Sequence, residues 1–361
     1  MGATVSAALE ETKKAINEAL DAKEDLLLSS KVKSTIAALT EADRKLLTDW
    51  FLDKNSDVLL IVASVTSDLA KAHALIRLAA NSNNPNAYFQ LGKISTDPCE
   101  IKKCMERAVE LKHSGAITWL GVQHDHGYVG YPLDREKSFK CYVDAFALNP
   151  LSRLAAYNIG CHYREGRSVD YDYDEAMDWF KKAAHLGDID ALYQMGLLNK
   201  DVAGGISLAI TNFTEVIRLD GTYSNAIYQL ALLYKDDEKR HIEFLQKGVS
   251  LGHPESHNTL GELYLKTNEA EGLILLEKAA RLGIGAGYYN LAAHYAMKPE
   301  SYFKALKYFY FAQKLFVSAA NKMRCDCEIK KLMPFCVKEL LLQFDHEVKP
   351  VEETESDGVA V

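Results

Sequence analysis

Small and apolar residues recur in a fixed order along the middle of this chain, at intervals of 29 to 39 residues. Each repeat opens with a small residue, carries an aliphatic residue or methionine four positions later, and has a second small residue directly after that. The spacing of four places the first two positions on one face of an α-helix. A recurrence of this length is typical of an array of stacked helical repeats. The opening residues of the seven repeats are Ala87, Ala116, Ala155, Ala191, Ala226, Ser256 and Gly287.

A second helical segment follows the first in each repeat. In the clearest copy, residues 176–187, several alanines share one helical face with Trp179 and Phe180. This pattern predicts that both aromatic rings are buried between helices. Gly166 and Gly187 follow the two helices of this repeat, and glycine readily adopts the left-handed conformation that ends a helix. Each repeat is therefore predicted to be a pair of helices.

The repeat at 155–187 resembles the Sel1-like repeat family, which is related to the tetratricopeptide repeats. Two segments carry the match: Ala-Tyr-Asn-Ile-Gly-Cys-His-Tyr-Arg-Glu-Gly at 156–166, and the second segment at 176–187. The resemblance covers about residues 70–316. It implies an all-α fold, a right-handed α-solenoid of stacked helix–turn–helix repeats whose first helices line a concave surface. Plain tetratricopeptide repeats are the alternative, but their strict period of about 34 residues fits less well.

Distinct segments flank the repeats. An extra copy of the second helix, at 72–83, precedes the first full repeat, and Thr40 begins a cap-like pattern before an earlier helix. The helical pattern after residue 316 is predicted to break near Pro334. The predicted divisions are a helical N-terminal cap region at 1–65, the repeat solenoid at 66–316, C-terminal capping helices at 317–345 and an acidic, disordered tail at 346–361.

Charge and hydropathy argue against two classes of partner. The net charge is −8 and no cluster of Lys and Arg stands out, whereas broad binding to nucleic-acid phosphates needs a basic face. The longest apolar run, 58–65, is too short to span a bilayer, and the first 30 residues lack a secretory signal pattern.

The seven cysteines show no spacing that follows the repeats, which favours reduced thiols in the cytoplasm. We therefore expect a cytoplasmic protein.

Three short motifs suggest metal binding, but each lacks part of the required pattern. The segment 170–174 begins like a calcium loop, yet the glycine and the bidentate glutamate of such a loop are missing. The His-x-His at 124–126 and the Cys-x-Cys at 325–327 have no further ligands at a recognisable spacing. No Gly-rich phosphate loop or nucleophile motif is present. We therefore nominate no catalytic, cofactor-binding or metal-binding residue, and expect no cofactor.

The face of each first helix opposite its packed face is the candidate binding surface. The positions two and three residues after the opening residue lie there, and in most repeats they carry aromatic and amide side chains. Aromatic rings beside amides suit an extended peptide, because they offer apolar contact and backbone hydrogen bonds together. The alternative is that the two rows pack between repeats. The candidate partner-binding residues are Tyr157, Asn158, Tyr193, Gln194, Tyr228, Gln229, Tyr289 and Asn290.

The first six residues fit the pattern for N-myristoylation at Gly2. A single myristoyl chain binds membranes weakly, with an association constant of about 10⁴ M⁻¹. The lysines that follow stand among glutamates, so a polybasic second signal is missing. The sequence predicts weak, reversible membrane association if Gly2 is lipidated.

The resemblance implies a non-enzymatic scaffold or adaptor that binds a protein or peptide partner in the concave groove. Two alternatives stay open: an enzyme or enzyme subunit that uses the array as a substrate platform, and a myristoyl-anchored membrane scaffold. We expect no nucleic-acid partner. The sequence leaves the oligomeric state and the identity of the partner open.

Overall fold

The computed structural model describes residues 6–22, 26–27, 29–51, 55–128 and 130–347. These residues form 20 α-helices and one short 3-10 helix and contain no β-strand. The predicted fold class, an all-α right-handed solenoid of helical repeats, is confirmed. Gly2 and most of the predicted acidic tail lie outside the described residues.

The chain divides into two compact units, Met1–Leu198 and Asn199–Val361. The helices up to this division are α1 Ala7–Asp21, α2 Ser30–Ala38, α3 Glu41–Phe51, α4 Asp57–Ser64, α5 Leu69–Asn81, α6 Pro85–Ile94, α7 Pro98–Glu110, α8 Ser114–His126, α9 Arg135–Leu148, α10 Arg153–Glu165, α11 Tyr173–His185 and α12 Ile189–Lys200, which ends at the division.

The second unit continues the alternation of first and second helices. Its elements are α13 Ile206–Leu219, α14 Ser224–Leu233, α15 Glu238–Ser250, α16 Pro254–Tyr264, α17 Glu269–Arg281, α18 Gly285–Tyr295, the 3-10 helix Pro299–Ser301, α19 Tyr302–Leu315 and α20 Ala319–Glu347. All seven opening residues identified from the sequence fall near the start of a helix, and a second helix follows each of them. Within each unit, most helices that are neighbours in sequence pack against one another.

In two repeats, the second small position is small because a buried ring lies against it. A Cβ atom on Gly160 would lie 2.8 Å from Cε1 of Phe180, and one on Gly121 would lie 2.6 Å from Cε1 of Tyr142. Both rings are fully buried. The two helices of a repeat can therefore approach closely only where this position has no bulky side chain.

The prediction that both rings of the 176–187 segment are buried was wrong for Trp179. Phe180 is fully buried, whereas Trp179 is half-buried. The Trp179 ring meets Phe146 edge-on at a centroid distance of 5.0 Å, and Nζ of Lys182 lies 3.7 Å from its centroid. Phe180 and Ala183 point into the core, and Trp179 lies at the edge of that face.

The helices before the predicted repeats pack against the start of the first unit. Thr40 caps α3, since its Oγ1 accepts a hydrogen bond from the backbone N–H of Asp43 at 3.1 Å. Helix α4 packs on α5, with Leu59 and Leu60 in the same core cluster as Ala79. The extra second helix predicted at 72–83 thus has a partner helix, α4, that precedes it in the chain.

Helix α20 continues through Pro334, so the predicted break near this residue was wrong. Proline removes one backbone N–H donor and usually kinks or ends a helix. Leu332 and Cys336, on either side of it, are both buried. Packing on both sides of the proline accounts for the continuous helix.

Candidate functional site

The eight candidate partner-binding residues are all half-buried side chains on first helices. Tyr157 and Asn158 lie on α10, and Tyr193 and Gln194 lie on α12, in the first unit. In the second unit, Tyr228 and Gln229 lie on α14, and Tyr289 and Asn290 lie on α18. Since each is neither buried nor fully exposed, each can contact both a neighbouring repeat and a ligand.

Position two of one repeat hydrogen-bonds to position three of the next repeat, and this relationship recurs in both units. Positions two and three are the residues two and three places after the opening residue of a repeat. In each pair, the hydroxyl or amide oxygen at position two contacts the side chain at position three of the following repeat. The three pairs are Tyr157–Gln194 at 3.2 Å, Tyr228–Thr259 at 3.4 Å and Asn258–Asn290 at 3.1 Å. The two rows therefore contribute to packing between repeats, as the alternative interpretation of the sequence proposed.

In the first unit, charged side chains extend this contact across three first helices. Gln194 accepts a hydrogen bond from Arg164, which also pairs with Glu165. Arg167 pairs with Glu165 and, at 2.7 Å, with the carboxylate of Asp125 on α8. Burial opposes ionisation of Glu165, but the two guanidinium groups beside it hold the pKa of its carboxyl below the usual value. The polar groups of this surface are thus largely paired with one another.

Burial raises the pKa of the Tyr157 hydroxyl, so this group is a neutral donor and acceptor at physiological pH. Its ring lies 5.7 Å from that of Phe180. Asn158 donates from Nδ2 to the carbonyl of Leu154 on its own helix at 2.8 Å. Tyr157 is therefore fixed on both sides by the fold, and Asn158 is held by its own helix.

The second unit has a recess whose lining combines repeat residues with residues that follow the repeats. Its volume is about 290 Å³. Asn258 and Glu262 contribute from α16 and Tyr289 and Asn290 from α18. The remaining lining residues are Ala286, Phe316, Asn321 and Arg324. Two of the predicted site residues, Tyr289 and Asn290, are thus brought together in one concave feature.

Arg324 gives this recess a fixed positive charge. Its Nη2 donates to the Tyr289 hydroxyl at 3.3 Å, and its guanidinium carbon lies 5.0 Å from the Tyr289 ring centroid. The contact orients the guanidinium and leaves further N–H donors for a ligand. Asn290 donates from Nδ2 to Oδ1 of Asn258 at 3.1 Å. The carbonyl oxygen of the Asn290 side chain and the NH₂ group of Asn258 are left to bind a ligand.

The sequence analysis missed Phe316, Asn321 and Arg324. These residues follow the last second helix, so they occupy no position in the repeat pattern. Arg324 is an exposed side chain on a helix with many charges, and nothing in the sequence distinguishes it from its neighbours.

In the first unit, His162 contacts both Ser168 and Asp125. Nδ1 of His162 lies 2.8 Å from Oγ of Ser168, and its Nε2 lies 3.8 Å from Oδ1 of Asp125. Both His162 and Asp125 are buried. Burial lowers the pKa of His162 although Asp125 opposes this effect. The arrangement holds the loop after α10 in place, because Ser168 and the Asp125 partner Arg167 both belong to that loop.

Within the described residues, no three His, Cys, Asp or Glu side chains are grouped closely enough to bind a metal ion. None of the seven cysteines forms a disulfide bond. The segment 170–174 serves as a helix start instead: the carboxylate of Asp172 accepts a hydrogen bond from the backbone N–H of Glu175 at 3.0 Å. Among the helices described, none is long and apolar enough to cross a bilayer.

Comparison with known proteins supports the same family that the sequence pattern suggested. The Sel1 repeat family profile matches residues 153–188 and 257–284. A curated relative, chitin synthase regulatory factor 3 of Schizosaccharomyces pombe, is 24% identical over 162 residues, which cover 41% of this chain and 17% of that protein. The chain thus spans a small fraction of this relative's length.

Two solved structures share the fold at low sequence identity. A Sel1 repeat protein from Oxalobacter formigenes is 18% identical, with a TM-score of 0.54 over 81% of this chain and 93% of that one. The protective antigen c5321 of uropathogenic Escherichia coli, which displays an SLR fold, is 15% identical, with a TM-score of 0.50 over 91% of this chain and 85% of that one. The profile matches show that the chain contains Sel1 repeats, and these likenesses show that its fold is similar to that of Sel1-like repeat proteins.

Proposed function

We propose that this chain is a non-enzymatic scaffold that holds an extended peptide segment of a partner protein. The Sel1-like repeat fold is generally that of a protein–protein interaction scaffold. The observation that carries the proposal is the recess of the second unit, where Asn258, Tyr289, Asn290 and Arg324 converge. The name of the fungal relative, a regulatory factor, agrees with a role without chemistry of its own.

The lining of the recess matches the chemistry of an extended peptide. Peptide backbone presents N–H and C=O groups in alternation, and amide side chains can pair with both. Asn258, Asn290 and Asn321 supply such amides from three different helices. The rings of Tyr289 and Phe316 offer apolar contact beside them. Arg324 favours a carboxylate on the peptide, since guanidinium binds carboxylate with two parallel hydrogen bonds.

The other candidate residues take different parts in this proposal. Tyr157, Gln194 and Tyr228 already bond to neighbouring repeats, and Gln229 accepts from Nζ of Lys200 at 3.2 Å. Their first contribution is to fix the spacing between repeats, and a peptide would touch their exposed faces. Asn158 and Tyr193 belong to the same rows in the first unit and remain proposed contacts.

A peptide-display selection on the full chain tests this proposal. Random peptides are selected on the wild type, and the affinities of the recovered peptides are measured by fluorescence anisotropy. Asn290→Ala and Arg324→Ala should each weaken binding, and the Arg324 change should affect acidic peptides most. Asn158→Ala removes an amide at the same repeat position in the other unit, outside the recess, so it should weaken binding less than either recess change.

Equal binding to the wild type and to both recess variants would contradict the proposal. Failure to select any peptide from the library would also count against it. Loss of binding in Asn158→Ala to the same extent would place the site elsewhere.

For location, we propose a cytoplasmic protein with weak, reversible membrane association through Gly2. The support is the Met1–Ser6 pattern and the absence of a basic cluster after it in the sequence.

A further inference from the structure

Helix α19, the last second helix of the repeats, exposes aromatic rings on the side that faces away from the core. Ala305, Phe309 and Ala312 are buried and define the side of α19 that packs on the second unit. Phe303, Tyr310 and Phe311, on the opposite side, are 39%, 51% and 37% exposed. We call this side the outer face of α19, and its members are Phe303, Lys307, Tyr310, Phe311 and Lys314.

The two lysines of the outer face are not neutralised by acidic side chains. Within the part of the chain that the structure describes, neither Lys307 nor Lys314 forms an ion pair. Nζ of Lys314 lies 4.7 Å from the ring centroid of Tyr310, and Nζ of Lys307 lies 5.9 Å from that of Phe311. Each ammonium group therefore lies beside an exposed ring and remains available to an anion.

The charge of this segment differs from that of the whole chain. Residues 301–325 contain five Lys or Arg and no Asp or Glu, whereas the chain has a net charge of −8. The sequence analysis found no basic cluster here because the lysines are not contiguous. Lys307 and Lys314 are seven residues apart, which is about two turns of an α-helix, so the helix brings them to one face.

Exposed aliphatic side chains follow at the end of α19. Leu315, its last residue, is 44% exposed, and Val317, in the turn before α20, is 95% exposed. Aliphatic groups are stabilised by transfer into hydrocarbon. They neither stack on nucleic-acid bases as aromatic rings do nor pair with the carboxylates of an acidic peptide. Their presence beside the lysines favours a lipid surface over either of these polymers.

We propose that the outer face of α19 docks on the surface of an anionic bilayer, with the helix parallel to the membrane plane. Lysines interleaved with aromatic and aliphatic side chains are typical of helices that bind at the interface, where the rings enter the headgroup region and the ammonium groups meet anionic lipids. The rings of α19 are only partly exposed, so they insert shallowly and the attachment is weak and reversible.

This surface is independent of the lipid anchor proposed at Gly2, because it consists of side chains of the folded second unit. A single acyl chain needs a second signal for stable attachment. If Gly2 is lipidated, the outer face of α19 supplies that signal.

Vesicle flotation of the full chain carrying Gly2→Ala, which cannot be myristoylated, tests this proposal. The protein should float with phosphatidylcholine vesicles that contain about 30% phosphatidylserine and not with vesicles of phosphatidylcholine alone. Added salt should release it, because salt screens the attraction. Changing both Lys307 and Lys314 to Gln should weaken binding roughly thirtyfold, since each lysine near an anionic surface contributes about 1 kcal/mol. Val317→Asp should also weaken binding without disturbing the fold, because Val317 is almost fully exposed.

The matched control changes Lys239 and Lys247 to Gln. Both are exposed on α15, another second helix of the same unit, so the net charge changes by the same amount. This variant should bind as the Gly2→Ala parent does, and all variants should keep the parent's far-UV circular dichroism spectrum. Absence of binding to the anionic vesicles, equal binding to both kinds of vesicle, or equal losses in the two lysine pairs would overturn the proposal. Binding to a fluorescent single-stranded oligonucleotide without binding to vesicles would also overturn it and assign the face to nucleic acid.

Discussion

Nε2 of His253 donates a hydrogen bond to Oδ1 of Asn225 at 3.1 Å, and this contact joins two successive repeats of the second unit. Nδ1 of the same ring accepts from the backbone N–H of Ser256 at 3.2 Å and so caps α16. His113 in the first unit makes the same pair of contacts, with Asn86 and Ala116. Because Nδ1 must accept a hydrogen bond, both rings are neutral in the folded array.

These two histidines make the stability of the array depend on pH. Burial lowers the pKa of both rings, and Glu255, 3.5 Å from Nε2 of His253, only partly opposes this effect. A lowered pKa means that the unfolded chain takes up the proton first. The stabilisation is therefore complete above the ordinary histidine value of 6.5 and is lost as the pH falls through the folded value.

We expect the free energy of unfolding, measured with urea, to be lower at about pH 5.5 than at pH 7.5. Replacing both histidines by Asn keeps a residue that can cap the helices but does not titrate. The double variant should lose less stability than the wild type over the same pH range. An equal loss in both proteins would assign the pH dependence to other groups.

The contrast between Phe180 and its neighbour Trp179 gives a second prediction. Phe180→Ala should cost about 3 to 5 kcal/mol, because the ring is fully buried. Trp179→Ala should cost roughly 1 to 2 kcal/mol, since part of its ring remains in solvent. Urea unfolding of the two variants side by side measures the difference. A larger loss for Trp179→Ala would show that the core face of α11 is assigned incorrectly.

Gly160 gives a third prediction, because its Cβ would meet the Phe180 ring at 2.8 Å. Gly160→Ala should destabilise the protein by about 1 to 3 kcal/mol through overpacking. In a Phe180→Leu background the same change should cost less, since the aliphatic side chain leaves more room. Equal costs in the two backgrounds would mean that the ring is not the obstacle.

Gly2 gives a fourth prediction, which rests on the sequence alone. In eukaryotic cells, a clickable myristate analogue should label the wild type and not Gly2→Ala. The labelled protein should divide between membrane and soluble fractions, because one acyl chain binds only weakly. An unlabelled wild type would end the lipidation hypothesis.

Much of the fold could be predicted from the repeat pattern. Ala155, Ile159 and Gly160 mark a packed helical face because their spacing follows the period of the α-helix. This local pattern recurs in every repeat. The burial of Trp179 was predicted incorrectly because spacing does not show where the edge of a face lies. The break at Pro334 was predicted incorrectly because local propensity omits the packing of Leu332 and Cys336 on either side.

The candidate site was predicted less completely. Tyr289 and Asn290 were selected by their repeat positions and do line the recess. Arg324 was not, because it comes from a helix without a repeat register. The hydrogen bond between Tyr157 and Gln194 joins two successive repeats. A helical wheel shows the directions of side chains within one helix, so it could not predict this contact between two helices.

By itself, the sequence determined the helix pairs, their order and the resemblance to Sel1 repeats, because these follow from periodic contacts between residues close in the chain. Only the tertiary structure decided which position-two and position-three side chains bond to one another and which line an open recess. It also decided that the face of α19 with Tyr310 and Lys314 stays exposed. These features depend on where separate helices come together, and residues far apart in sequence carry no shared pattern that would show it.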